Sequence, residues 1–250
     1  MSILKLSTFA AIAAVIAAPA VAQNTSSSPF YVSGFVGTSL SSNSDFTGVS
    51  NPDAGVPGPT GAAGVPLSVD VDFDSNVYFG GAVGAHLPFT FFGIFHPRIE
   101  LEISSLDSDT NTGSFNNGTQ TFSGNQDATF YYFNNYSDII FNDDQRLIPY
   151  IGGGIGFANV RSDVGYFPAS ATAPVFAVQG EDTAFATHTA IGATYKVNNN
   201  VGLYTEGRYF QIRGVDLERR FIGGGANLFS GNVSDNIDGF TITGGLRFSF

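Results

Sequence analysis

The sequence predicts an all-β protein: an eight-stranded antiparallel up-and-down transmembrane β-barrel with four long outer loops and three short periplasmic turns. Three observations carry that prediction. Segments of about 10 to 14 residues alternate apolar with polar positions, the period of a strand whose two faces meet different surroundings. Long and short connections alternate strictly between these segments, as they do when only one end of a barrel faces the exterior of a cell. Charged residues make up only 12% of the 250, beside 31 Gly, 25 Phe and 10 Tyr, a composition foreign to disordered chains and ordinary soluble enzymes alike.

Taken in order, the chain begins with a segment that reads as a secretory signal peptide. Lys5 supplies the positive start, Phe9 to Ala18 the apolar core, and Ala20-Val21-Ala22 before Gln23 the small-x-small cleavage pattern. Its apolar run falls short of the ~20 residues of a spanning helix and contains Pro19. Residues 1–22 are therefore expected to be removed, leaving 23–250 as one exported domain. No later window is long and apolar enough for a transmembrane helix.

Eight strand candidates follow: Phe30–Leu40, Asn76–Leu87, Pro97–Leu106, Ala128–Ile140, Leu147–Val160, Ala184–Val197, Val201–Val215 and Asp238–Phe250. The segments 41–75, 107–127, 161–183 and 216–237, rich in Ser, Asn, Gly, Asp and Thr, are expected as the long loops. Pro88–His96, Phe141–Arg146 and Asn198-Asn199-Asn200 are the short turns. A tilted strand crosses a bilayer in ~9–11 residues, and only a closed barrel satisfies every backbone group in lipid. The run Asn51 to Gly61 holds too much Pro and Gly for a regular element and is expected to be mobile.

The faces sort cleanly in most strands. Phe240, Ile242, Leu246, Phe248 and Phe250 share one side of the last strand, against Thr241, Thr243, Arg247 and Ser249 on the other. Ile99, Leu101 and Ile103 alternate with Arg98, Glu100 and Glu102, and the seventh strand turns Glu206 and Arg208 away from Leu203 and Tyr209. In the fifth, Tyr150, Gly152, Gly154, Gly156 and Ala158 form the inward set, and in the second Tyr78, Gly80, Ala82, Gly84 and His86; the small residues among them suit a narrow, nearly filled barrel. The first and fourth strands are too evenly mixed to assign.

This assignment gathers Arg98, Glu100, Glu102, Glu206, Arg208 and Arg247 in one lumen, where each charge needs a partner. A salt-bridge network closing the barrel is the preferred reading. A charge-lined constriction that selects ions is the alternative, and a catalytic pair at Glu100 and Glu102 is disfavoured because no bulky substrate enters so narrow a lumen.

Several function classes fall away. The formal net charge of −11 opposes nucleic-acid binding. The absence of Cys excludes disulfide scaffolds, thiolate metal sites and Cys nucleophiles, and no cofactor motif is present. A lipid-modifying enzyme would need a Ser/His/acid set near the outer rim. The only histidines are His86, His96 and His188, and none has a serine suitably placed, so no enzymatic activity is expected. Asp70, Asp72 and Asp74 share a strand face that could bind a divalent cation but reads more simply as a solvated rim. Arg219-Arg220 could contact lipid phosphates.

The terminal pattern Gly239-Phe240-Thr241-Ile242-Thr243-Gly244-Gly245-Leu246-Arg247-Phe248-Ser249-Phe250 resembles the C-terminal assembly signal of bacterial outer-membrane proteins. With Pro149-Tyr150-Ile151-Gly152-Gly153-Gly154-Ile155-Gly156 and the strand of Tyr204, Glu206, Arg208 and Tyr209, the chain resembles the eight-stranded outer-membrane barrels of the OmpA-like, OmpX-like and opacity-type porin family. The resemblance covers essentially all of 24–250. It implies a monomer in the outer membrane of a Gram-negative bacterium, in contact with lipid and lipopolysaccharide and inserted by the barrel-assembly machinery through its last strand. Relatives serve as envelope stabilisers, adhesins and surface antigens, or weak channels. The peptidoglycan-binding domain that some carry has no counterpart here, so direct anchoring to the cell wall is not expected. A structural and surface-antigen role is the expectation, with loops meeting host or phage; a small-solute channel and a lipid-modifying enzyme are the alternatives.

Overall fold

The computed structural model describes residues 29–50, 64–73, 76–168 and 173–250. The expected signal peptide, the Pro- and Gly-rich run Asn51 to Gly61 and the carboxylate Asp74 lie outside the described residues. Nine strands carry the described chain: β1 (Phe30–Ser50), β2 (Pro66–Phe73), β3 (Val77–His86), β4 (Phe95–Phe115), β5 (Gly118–Ile139), β6 (Leu147–Pro168), β7 (Phe176–Lys196), β8 (Val201–Phe221) and β9 (Leu228–Ser249). They pair antiparallel in the order β2-β1-β3-β4-β5-β6-β7-β8-β9, and β9 returns to pair with β1, closing the sheet. β2 and β3 share one lane. β1 pairs with β3 from Phe30↔Ala85 to Thr38↔Val77 and with β2 from Asn43↔Asp72 to Val49↔Pro66, while β4 pairs with both from the other side.

The strands outrun the membrane. β4 to β9 are 21 or 22 residues long, roughly twice the ~9–11 that crossing requires. The segments 107–127, 161–183 and 216–237, expected as loops, are thus largely strand. β4 meets β5 across Asn116-Asn117, both at positive φ (46° and 62°) with Phe115 opposite Gly118, the backbone of a tight hairpin turn in which Asn is favoured. The Ser, Thr, Asn and Gly content of these segments resembles a loop because the outward half of the alternation is largely polar and the inward half mixes apolar residues with buried Ser108, Thr110, Gln126 and Ser162. Phe122, Val164, Val178, Leu217 and Val233 occupy the inward half, and all are buried.

The long strands therefore reverse their faces partway along, whereas the short β2 lies wholly in the outer half and β3 in the inner. In β9 the outward residues are Asn232, Ser234, Asn236 and Asp238, then Phe240, Ile242, Leu246 and Phe248. The inward residues run the opposite way, from Val233 and Ile237 to Thr241, Thr243 and Arg247. Above the crossover the interior is a packed apolar core that includes Phe46, Val69, Val71, Phe122, Phe130, Val160 and Tyr166. Below it the interior is polar and the exterior apolar, with Val36, Val83, Leu101, Ile151, Ile155 and Ile191 all exposed. The crossover is marked outside by aromatics in register, Tyr131↔Phe157, Phe157↔Phe185 and Tyr209↔Phe240. The next outward pairs are polar: Thr129↔Asn159, Asn159↔Thr183 and Gln211↔Asp238. An exterior this apolar around an ionic interior belongs in lipid, and aromatic residues sit where hydrocarbon gives way to headgroups. From Phe240 to Phe248 the belt matches the span of one bilayer crossing.

Candidate functional site

Below the crossover, alternate residues of β1, β3, β4, β5, β6, β8 and β9 project charge and phenol groups into the lumen, because the pleat directs every second side chain inward. The structure brings all six sequence-predicted charges, Arg98, Glu100, Glu102, Glu206, Arg208 and Arg247, into one buried cluster. Two arginines organise it. Arg208 donates from both terminal nitrogens to Glu102, at 2.6 and 2.8 Å, and from Nε to Glu206 Oε1 at 3.0 Å. That fork is the strong, geometrically selective form of an ion pair. Glu102 also accepts from Ser104 Oγ at 2.9 Å and Asn134 Nδ2 at 2.8 Å, so its remaining lone pairs are occupied.

Arg98 is the second hub. It contacts Glu100, donates from Nε to Asp138 Oδ1 at 3.0 Å, and lies over the rings of Tyr136 and Tyr150 at 4.2 and 4.7 Å. The Tyr31 hydroxyl donates to Glu100 at 2.7 Å, and that of Tyr150 to Glu206 Oε2 at 3.1 Å. Arg247 completes the cluster, 3.6 Å from Glu100 and over the rings of Tyr31 and Tyr204. Paired charges with this many hydrogen bonds are the condition under which ions tolerate a desolvated interior. The void left between Glu100, Glu206, Arg98 and Arg247 is about 10 Å³, room for a single water.

Sequence reasoning missed Asp138, Tyr31 and Tyr136, which lie on the two strands whose faces it left unassigned, whereas Tyr78 and Tyr150 fall on faces it reads as inward. In β5 the inward set is Phe130, Tyr132, Asn134, Tyr136 and Asp138, and the outward set Tyr131, Phe133, Asn135 and Ser137. Each face holds aromatics and polar groups, so sorting by hydropathy fails. Tyrosine at every second inward position next to Asn and Asp was the available signal.

Glycine makes the room. A Cβ on Gly154 would collide with Asn134 Oδ1 and His188 Nε2, which contact one another at 2.9 Å. Gly154→Val should push that pair apart and cost about 1–3 kcal/mol, read as a lower urea midpoint in detergent micelles. Gly165→Ala, whose Cβ would first meet Pro174 at 3.0 Å outside the cluster, should cost less.

The other flagged residues are placed differently. His188 is buried, edge-on to Tyr132 at 4.6 Å. His86 Nδ1 lies 3.7 Å from Asp138. Asp70 accepts from Ser68 Oγ at 3.1 Å and Ser114 Oγ at 2.6 Å, and among the described residues no group of three His, Asp or Glu side chains is arranged to hold a metal. Arg219 and Arg220 do not act as a pair. Arg220 faces outward beside Glu218, whereas Arg219 is buried above the crossover, its guanidinium 3.8 Å from the Phe176 ring and 5.0 Å from that of Phe115. It donates to the Tyr166 hydroxyl and to Ser230. Burial pushes the Tyr166 phenol up, partly offset by the Arg219 charge. An inward Arg219 has no route to lipid phosphates outside the wall.

A closed antiparallel barrel with an apolar belt outside and an ionic interior at the same depth defines an outer-membrane β-barrel protein of the Gram-negative type. The chain belongs to the surface antigen family, whose model matches residues 68–250. No curated protein matches it in sequence. Among solved structures it is similar to the outer-membrane protease OmpT of Escherichia coli, at 12% identity and a TM-score of 0.51 over 91% of this chain and 99% of that one. It is also similar to the outer-membrane protein OprG of Pseudomonas aeruginosa, at 13% identity and a TM-score of 0.53 over 90% and 96%. At these identities the likeness concerns the fold.

Proposed function

We propose that the chain is a closed, non-enzymatic barrel that reinforces the outer membrane and holds a rigid antigenic surface above it. In this reading β2 and β3, which pair with the same two neighbours, count as one stave, which makes eight. The observation that carries the proposal is a lumen filled at both levels, by the Arg98 and Arg208 cluster within the belt and by the apolar core around Phe130 and Tyr166 above it. Filling at both levels argues against a path for a solute. The outward residues above the belt, among them Asp109, Arg161, Asp163, Glu181, Asn232 and Asn236, are exposed and would meet lipopolysaccharide, host surfaces or phage. About ten residues of tilted strand lift that surface roughly 25 Å above the belt. The protein acts as a monomer after insertion by the barrel-assembly machinery.

Planar-bilayer recording tests the closed lumen. Protein whose unheated and boiled forms migrate differently on a gel, the sign of a folded barrel, should give silence or rare small openings. Stable nanosiemens-scale steps would overturn the proposal in favour of a channel.

A further inference from the structure

The link between β3 and β4 does more than turn the chain. Phe89, Phe91 and Phe92 project from it at 47%, 53% and 92% exposure, and Phe141 in the neighbouring link stands out at 69%. The link is ordered by its own hydrogen bonds: Phe91 N donates to Phe95 O at 2.9 Å, Phe95 N to Phe91 O at 3.0 Å, and Ile140 N to Ile94 O at 2.9 Å. The rings of Phe89 and Phe91 meet edge to face at 5.3 Å. At the tip Phe92 is held at φ 51° and Gly93 at φ 71°. A left-handed backbone suits glycine or asparagine, and an aromatic residue there is strained. Strain combined with almost complete exposure of a phenyl ring is unfavourable in water and needs a compensating environment.

That environment is adjacent. At the same end of the barrel Phe30, Leu147, Val197 and Phe250 are exposed, and Phe30 lies opposite Ala85 at the end of β3 from which the link departs. The aromatic link thus continues the lipid-facing belt beyond the last strand pairing. We propose that Pro88–Phe95 is a membrane hook: its phenylalanines insert into the headgroup and acyl boundary of the inner leaflet and fix the depth of the barrel. Its occupant is lipid, because the hook is continuous with a surface already in lipid and carries no charged side chain between Leu87 and Phe95.

The chain contains no Trp, so one introduced indole reports from one place. Phe92→Trp in the full barrel, folded into vesicles of unsaturated phosphatidylcholine or its brominated analogue, should emit at short wavelength. Brominated lipid should quench most of its intensity and aqueous iodide little. Val36→Trp, within the belt, should behave likewise, and Thr121→Trp, on the outer wall, should show the reverse. Phe91→Trp provides a second reporter on the same link, and gel mobility before and after boiling verifies folding for each. Long-wavelength emission and iodide quenching equal to those of Thr121→Trp, at both hook positions, would overturn the proposal and leave the link as a docking site for a periplasmic protein.

Discussion

Arg208→Met should cost about 3–5 kcal/mol of barrel stability, because it leaves Glu102 and Glu206 buried with their shared cation gone. No other arginine is recorded within 4.0 Å of Glu102 or Glu206 among the described residues, so nothing nearby takes over. The expected reading is a large fall in the urea midpoint and loss of the fast-migrating unheated band. Adding Glu102→Gln should recover part of the loss, since the amide still accepts from Ser104 and one of the two uncompensated charges is removed, Glu206 keeping only the Tyr150 hydroxyl. A single mutant as stable as the parent would mean that the cluster does not hold the barrel together.

The next largest effect concerns the belt. Val36 faces outward at 60% exposure, midway along the apolar part of β1, opposite Phe79 on one side and Gly244 on the other. Arginine there should cost about 2–4 kcal/mol, as a charge on the lipid face near the bilayer midplane does. Thr121→Arg, outward on β5 and opposite Phe167, should be nearly neutral because it stands in water. Refolding yields in lipid vesicles across urea would compare the two. Equal tolerance at both positions would show that the exposed apolar surface around Val36 does not meet hydrocarbon.

The two experiments separate the halves of the protein. The outer half is organised like a soluble barrel, apolar within and polar without, and its stability should follow cavity rules. The membrane half is inverted and depends on ion pairs, phenol hydroxyls and lipid. Arg219 shows the logic of the outer half: aromatic rings and two hydroxyls hold its charge, an arrangement favourable once water is excluded.

What the sequence determined alone was whatever depends on period-two alternation against a uniform environment. The apolar face of Phe240, Ile242, Leu246, Phe248 and Phe250 and the charges of β4 and β8 were legible because in those strands hydropathy and direction agree. What only the tertiary structure decided was where agreement breaks down. Hydropathy could not sort β5, since an inward Tyr136 serves Arg98 while an outward Tyr131 serves lipid. Nor could it distinguish a loop from the outer half of a strand, since polar outward residues dominate the composition and the few inward ones, such as Val178 and Val233, bury their side chains only once the sheet has closed. Pairing partners across the ring, Arg208 with Glu102 more than a hundred residues away in sequence, depend on register and closure. Local pattern fixes which way a side chain points, but closure alone determines what it meets.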